Sequence, residues 1–255
     1  MKILHGFADY GAESEALAAY GHVTRATINP IPNRWSDAIA ADLSDPDRVS
    51  FEPDEFDLAV LHPPCTAYSS MPDANKHGDA PELIKEAREI GKRYAENYII
   101  ENKPNAPLRD PVVLDGRMFG LPIQYKRGFE TSFPVPQPPR NARLGESPES
   151  SPFYFSERSA EWWRAAKGGL VGDYPKEHLA KNSIPLPFIH HLARGWLDAT
   201  GAAEGVTDYS NYDDEMDEKR AREANESLDV YADGGKVDRE NTEMTDEVDT
   251  GGSDA

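Results

Sequence analysis

The chain has a single cysteine, Cys65, in 255 residues, so no internal disulfide can form. That usage suits a reducing compartment, and a cytoplasmic location is expected. No apolar run is long enough to span a bilayer, and Met1-Lys-Ile-Leu4 reads directly as a strand. Neither a signal peptide nor a membrane partner is therefore expected. Positive charge is also scarce, with 27 Lys and Arg against 46 Asp and Glu and a formal charge of −19. This balance runs against the phosphate neutralisation from which nucleic-acid proteins normally gain affinity. Concentrated salt screens charge within a few ångströms and makes such a surface tolerable. A halophilic archaeon or its virus is accordingly the expected source. Seven histidines are present without metal-site spacing, so no metal is expected. His190-His191, on an apolar helical pattern, reads as packing.

The acidic excess is uneven. From Gly201 to Ala255 there are 18 acids and 5 bases, a net of −13, which leaves −6 for residues 1–200. The last segment has too few large apolar side chains to offset its ordering entropy, and residues 201–255 are expected to be a disordered acidic tail. Residues 1–200 suffice for one core of ordinary size. Within them, Lys2 to Phe7 reads as a strand and Ser14 to Tyr20 as a helix stopped by Gly21. His22 to Ile28 and Phe56 to Leu61 read as further strands, while Asp37 to Leu43 leads into a loop. Ala80 to Asn97 reads as an amphipathic helix on Leu83, Ala87, Ile90 and Tyr94, followed by a strand at Tyr98 to Ile100. A strand-like piece lies near Phe129 to Phe133, and a helical patch holds Trp162 and Trp163. Ile184 to Leu197 reads as a final helix. This alternation predicts an α/β fold with a doubly wound, mainly parallel sheet.

Two segments carry chemistry. Strand Phe56–Leu61 breaks at Pro63-Pro64 into a loop that presents the Cys65 thiol. The carboxyl end of an α/β strand is where such folds place reacting groups. Ile99-Ile100-Glu101-Asn102-Lys103-Pro104 repeats the layout and offers a carboxylate as general acid. The competing readings are structural: Cys65 as a small buried hydrophobe, and Glu101-Asn102 as a solvated strand end.

Joined together, these segments resemble the DNA cytosine-C5 methyltransferases, in a short form like those of phages and archaeal viruses. Four further stretches match in order. Phe7-Ala-Asp-Tyr-Gly11-Ala-Glu-Ser14 resembles the Phe-x-Gly-x-Gly-Gly-x-Ser loop that begins the cofactor site. Asp42 stands where the family places a carboxylate near the adenine. Phe119-Gly-Leu-Pro122-Ile-Gln124-Tyr-Lys-Arg127 resembles the Phe-Gly-x-Pro-Gln-x-Arg-x-Arg segment. Lys181-Asn182-Ser183-Ile184-Pro185 resembles the late Gly-Asn-Ser-Val-Pro segment that completes the cofactor pocket. The resemblance covers roughly residues 3–197.

The resemblance implies a Rossmann-like methyltransferase domain over 1–200, with a small irregular recognition region inserted at about 131–178. It implies S-adenosyl-L-methionine as cofactor, held by Phe7, Gly11, Asp42, Pro63, Asn182 and Ser183. The substrate it implies is double-stranded DNA with a flipped cytosine, in a restriction-modification setting, and a monomeric enzyme is expected. In that scheme Cys65 adds to cytosine C6, and Glu101, with a raised pKa, protonates the ring nitrogen N3. Asn102 holds the local turn, and Arg127 contacts the cytosine O2 or the nucleophile loop. The segment expected to face DNA carries Arg117, Lys126, Arg127, Arg140 and Arg143. Two departures from the family bear on the cofactor. Asp9 replaces the first loop glycine, and Thr27 or Asn29 stands in place of the acid expected after the second strand, so weaker cofactor binding is expected. Structural readings remain open: Arg127 as a surface arginine, Asn182-Ser183 as a helix N-cap, and Asp42 as a turn residue. RNA cytosine is the alternative substrate, and a catalytically degenerate nucleic-acid-binding relative is the alternative from another class.

Overall fold

A computed structural model of the chain describes residues 1–69, 80–139 and 158–202. The expected acidic tail from 203 onward lies outside the described residues, as does the stretch 140–157 of the expected recognition region, with Arg140 and Arg143. Strands β1 (Lys2–Gly6), β2 (His22–Thr27), β3 (Asp37–Ala40), β4 (Phe56–Leu61) and β5 (Ala95–Asn102) pair in parallel. Strand β7 (Arg127–Thr131) runs antiparallel to β5, and β6 (Val112–Leu114) antiparallel to β7. The sheet order is β3-β2-β1-β4-β5-β7-β6.

The doubly wound arrangement follows from strand periodicity, since successive side chains point to opposite faces. Ile3, Val23, Leu58, Val60, Ile99 and Phe129 join one core cluster with α1 (Ser14–Leu17), α3 (Ala160–Ala166), α4 (Lys176–Lys181) and α5 (Leu186–Thr200). Leu4, Ala26, Ala59, Leu61 and Ile100 join the other, against α2 (Ile84–Tyr94). Strands apolar on both faces are what a buried parallel sheet requires.

Several elements differ from the sequence reading. The first helix has four residues, because the bonds Ala19 N to Ala16 O and Tyr20 N to Leu17 O tighten it into a turn. The chain must come round quickly there, since His22 N donates to Met1 O at 2.8 Å. Gly21 permits that approach: a Cβ on it would lie 2.3 Å from the Met1 carbonyl oxygen. Helix α2 ends at Tyr94, three residues short of expectation, because pairing with β4 claims the next stretch. Ala95 opposes Phe56 and Asn97 opposes Leu58. Strands β3 and β6 were not read from sequence. All four residues of β3 are exposed, so no apolar alternation marks them, and β6 has three residues.

Candidate active site

On the face shared with α1 and α3–α5, the core strands end in ionisable residues. Two positions beyond Ile3, Val23, Val60, Ile99 and before Phe129 stand His5, Arg25, His62, Glu101 and Arg127. Strand periodicity puts all five on one face. Because β7 is reversed, its first residue meets the last residues of β5: Glu101 opposes Phe129 and Asn102 opposes Gly128. Glu101 is 5% and Arg127 2% exposed. The Arg127 Nε lies 3.2 Å from Glu101 Oε1, and His62 Nδ1 lies 3.2 Å from Glu101 Oε2. Arg127 also donates from Nη2 to the Tyr125 hydroxyl and, at 3.1 Å, to Lys181 O. Arg127 is thus a buried clamp, which excludes the surface-arginine reading.

The electrostatics correct one expectation. Burial alone would raise the Glu101 carboxyl, but the Arg127 guanidinium and the His62 contact outweigh it and hold it below its ordinary value. A resting carboxyl with raised pKa was expected, and the ionised form is favoured instead. For His62 the balance is reversed. Burial pulls the imidazole down, yet the hydrogen bond to Glu101 and the Glu13 charge leave it above its ordinary value. His5 is held well below by burial, then by His62 and Arg25. Burial opposes the Arg127 charge, and Tyr125, Glu101 and Cys65 more than restore it.

Cys65 is partly exposed and caps a 3₁₀ turn, Thr66–Tyr68, with Tyr68 N donating to its carbonyl at 3.1 Å. Its thiol interacts electrostatically with Arg127 and with Lys103. The loop carrying it is tied to β5 by Asn102, whose Nδ2 donates to Pro63 O at 3.0 Å. Asn102 Oδ1 also accepts from Lys103 N at 2.8 Å, so both ends of the amide help fix one turn against the other. Cys65 therefore stands beside Arg127 and the Glu101 strand end, not in the core.

The other sequence candidates fall at the same carboxyl edge. Phe7 leaves β1 with φ of 61° and Gly11 follows with φ of 62°. A left-handed phenylalanine is a strained residue of the kind that clusters at ligand sites. Arg25, fully buried, braces this loop by donating to Asp9 O at 2.6 Å and to Ile31 O. Thr27 Oγ1 donates to Asp9 Oδ1 at 2.5 Å, so the exposed Asp9 carboxylate is delivered to the end of β2. Asp42 lies exposed just after β3 and accepts from Ser44 N and Oγ at 2.9 and 2.7 Å. Those bonds, led by the one from the hydroxyl, lower its carboxyl pKa. Asn182 is exposed, whereas Ser183 is buried and its hydroxyl donates to Leu179 O at 2.7 Å. Neither caps α5, whose N-cap is Pro185 without a side-chain bond. Of the described basic cluster, Lys126 is exposed, Arg117 lies partly buried beside Asp115, and Arg127 is inside.

Sequence reasoning gave no site role to His5, Glu13, Arg25, His62 and Lys167, although His62 precedes Pro63-Pro64-Cys65 and Glu13 lies within the Phe7–Ser14 stretch. All are buried or nearly so; for His5, Arg25 and His62 the signal was an ionisable residue continuing the core parity of a strand, and Lys167 carried none. His5, Glu13 and His62 bring one ligand atom each within 4.8 Å of one another. A divalent ion there would be opposed by Arg25 acting on His5, Arg127 on His62 and Lys167 beside Glu13. Lys167 is fully buried, donates to Ser183 O at 2.7 Å, and lies 3.2 Å from the Tyr125 ring centre. Burial and then Arg127 hold its pKa well down.

Among solved structures, the chain is similar to the Entamoeba histolytica methyltransferase EhMeth, with a TM-score of 0.51 at 11% identity over 78% of this chain and 98% of that one. It is also similar to the S. pombe Dnmt2 methyltransferase, with a TM-score of 0.48 at 13% identity and the same coverage of 78% and 98%. A provisionally named DNA modification methyltransferase encoded within an E. coli prophage gives 0.37 at 15% identity over 51% of this chain. The chain spans 46% of the length of that last relative. No family model and no curated protein matches the chain. The likeness to EhMeth shows a Rossmann-like fold shared with that methyltransferase, as the sequence reading expected.

Proposed function

We propose that this chain transfers a methyl group from S-adenosyl-L-methionine to C5 of cytosine in DNA through a covalent Cys65 adduct. The observation that carries the reading is the meeting of three side chains from remote segments. Cys65, Glu101 and Arg127 converge at the edge where β4 and β5 end and β7 begins. A partly exposed thiol within electrostatic reach of Arg127 and Lys103 can serve as the nucleophile for C6. In this reading Glu101 would donate a hydrogen bond or proton to N3 as charge builds in the ring, and Arg127 would keep the carboxylate in place. Asn102 fixes the Cys65 loop. The base must leave the helical stack to reach the thiol, at a cost of a few kcal/mol.

The residues fit a nucleoside cofactor at the carboxyl ends of β1, β2 and β3, the usual ligand crevice of such a sheet. Phe7, Gly11, Asp42, Pro63 and Asn182 would hold it, and Ser183 would shape the wall from inside. Asp9, anchored by Thr27, would supply at the β2 end the charged acceptor for ribose hydroxyls that β2 itself lacks. The cofactor, when bound, supplies an electrophilic methyl group on a sulfonium.

The test is transfer of labelled methyl groups to matched duplex DNA and tRNA in molar salt, with Cys65→Ala as control. The expected result is C5-methylcytosine in DNA from the native protein and none from Cys65→Ala. Activity retained by Cys65→Ala sinks the covalent reading, and transfer to tRNA alone moves the substrate to RNA. DNA binding without any cofactor binding would favour the degenerate-relative reading.

A further inference from the structure

The reaction proposed above leaves a proton unaccounted for. Cytosine N3 must receive one as Cys65 adds to C6, yet Arg127 and His62 both favour the ionised form of Glu101. The donor must touch Glu101 and carry a proton near neutral pH. Arg127 cannot release one. Tyr125 spends its hydroxyl proton on Lys181 O at 2.8 Å and accepts from Arg127. Lys103 bonds Asn102 through its backbone, and no bond joins its ammonium to Glu101 among the interactions of that carboxylate. His62 is left. Its Nδ1 faces Glu101 Oε2 at 3.2 Å, its side chain is 12% exposed, and it directly precedes Pro63-Pro64-Cys65.

We propose that His62 supplies, through Glu101, the proton that the cytosine ring takes up and later returns. The proposal rests on the cytosine-C5 reading of the site. At rest the pair is imidazolium and carboxylate. On addition Cys65, its thiol proton lost to water, forms the Sγ–C6 bond as the thiolate, the C5–C6 π pair is released into the ring, and a proton passes from His62 to Glu101 and on to N3. After methyl transfer the C5 proton leaves to water and the S–C6 bond breaks. The N3 proton then returns through Glu101 to the neutral imidazole, so His62 ends as it began. His62 never touches the base; it is a positioning and proton-supplying residue.

The surroundings of His62 support this assignment. From β1 comes the His5 ring, edge-on at 5.0 Å between centroids and held neutral by burial. Ahead of α1 stands Glu13, whose charge favours the imidazolium, and from β7 Arg127, which opposes it. Beyond β5 and α3, Lys103 and Lys167 act on Glu101 rather than on His62. The Nε2 of His62 is buried without a hydrogen-bond partner, so Nδ1 to Glu101 is its one protein contact for a proton.

The experiment measures the rate of covalent adduct formation on 5-fluorocytosine duplex DNA and RNA with S-adenosyl-L-methionine across pH, comparing the native protein with His62→Gln. Glutamine can still hydrogen-bond Glu101 but has no proton to give. The native rate should fall on the alkaline side as the imidazolium is lost. His62→Gln should lose that limb and run about a hundredfold slower at neutral pH, with S-adenosylhomocysteine affinity unchanged. An unaltered profile and a rate within a few-fold of native in His62→Gln overturn the proposal alone. Absence of any adduct from the native protein on either nucleic acid overturns the functional reading and the proposal with it. Where His62→Gln does not fold, NMR titration of His62 in the native protein decides: an imidazole titrating above the ordinary value supports the role, and one at or below it overturns it.

Discussion

Glu101 and His62 share one hydrogen bond and each favours the other's ionised form, so their pKa values move in opposite directions, which sets how stability follows pH. The Glu101 carboxyl is held below its ordinary value, so its contribution is present at neutral pH and is lost as pH falls through the folded-state value. The His62 imidazole is held above its ordinary value, so its contribution is complete below that value and fades as pH rises through the folded-state one. Chemical denaturation across pH should therefore show greatest stability between the two, and His62→Gln should flatten the alkaline slope. Asn102 gives a second expectation. Asn102→Ala removes the donor to Pro63 O and leaves Lys103 N without its side-chain acceptor. Loss of a buried hydrogen bond of this kind costs about 1–3 kcal/mol, and the looser Cys65 loop should slow adduct formation more than it weakens cofactor binding. The positions of Cys65, Glu101 and Asn102 were legible because a proline break and a polar tip follow apolar runs. Arg127 was legible as a motif residue but not as a buried one, since nothing in the sequence marks β7 as reversed. The ionisation of Glu101 was misread for the same reason, because it depends on partners contributed by β4 and β7.

Among the elements, the joins are where local preference yields to pairing. Helix α2 has the periodicity to run on past Tyr94, but the ladder with β4 takes Ala95 and Asn97, and the Tyr98 side chain packs over Gly91. A Cβ on Gly91 would come within 2.8 Å of Tyr98 Cβ. Gly21 is tighter still, since its added Cβ meets backbone that cannot rotate away. Gly21→Ala should destabilise by about 1–3 kcal/mol, read as an earlier denaturant midpoint, by forcing β1 and β2 apart at their starts. Helix α2 is also pinned to β7, where Arg88 binds Glu130 with both oxygens at 2.7 and 2.8 Å. The Glu130 side chain is 3% exposed, so Arg88→Ala leaves a buried carboxylate without its ion-pair partner, held only by Arg109 N and the Tyr98 hydroxyl. A loss of about 3–5 kcal/mol is expected, larger than for Arg93→Ala, whose partners Asp47 and Glu89 are exposed. The apolar strands and both long helices were readable from periodicity. The edge strands β3 and β6 were not, because neither buries a repeating face.

For the whole molecule, sequence composition and the proposed reaction point to different partners. The charge of −19 disfavours a phosphate backbone, while the reaction proposed for the site requires a nucleic acid. Most of the imbalance lies beyond residue 202, where 18 acids face 5 bases. A chain ending at Ala202 should bind duplex DNA more tightly than the full chain at low salt. The difference should vanish in molar salt, where the screening length is about 3 Å; fluorescence anisotropy over a salt series reads both arms. Equal affinities at low salt would show that the tail exerts no repulsion on the duplex.

The row of His5, Arg25, His62, Glu101 and Arg127 draws four members from β1, β2, β5 and β7 and the fifth from the residue just after β4. The Glu101 charge is balanced by Arg127 only once β7 has paired with β5. A molecule in which β7 had failed to dock would bury Glu101 without Arg127, and one lacking β4 would leave it without His62. A sheet that lacks β7 thus hides an uncompensated ion, a penalty of several kcal/mol, which disappears when that strand docks. The machinery proposed to move a proton therefore also works as an inspector of assembly, passing the finished sheet and rejecting the partial ones.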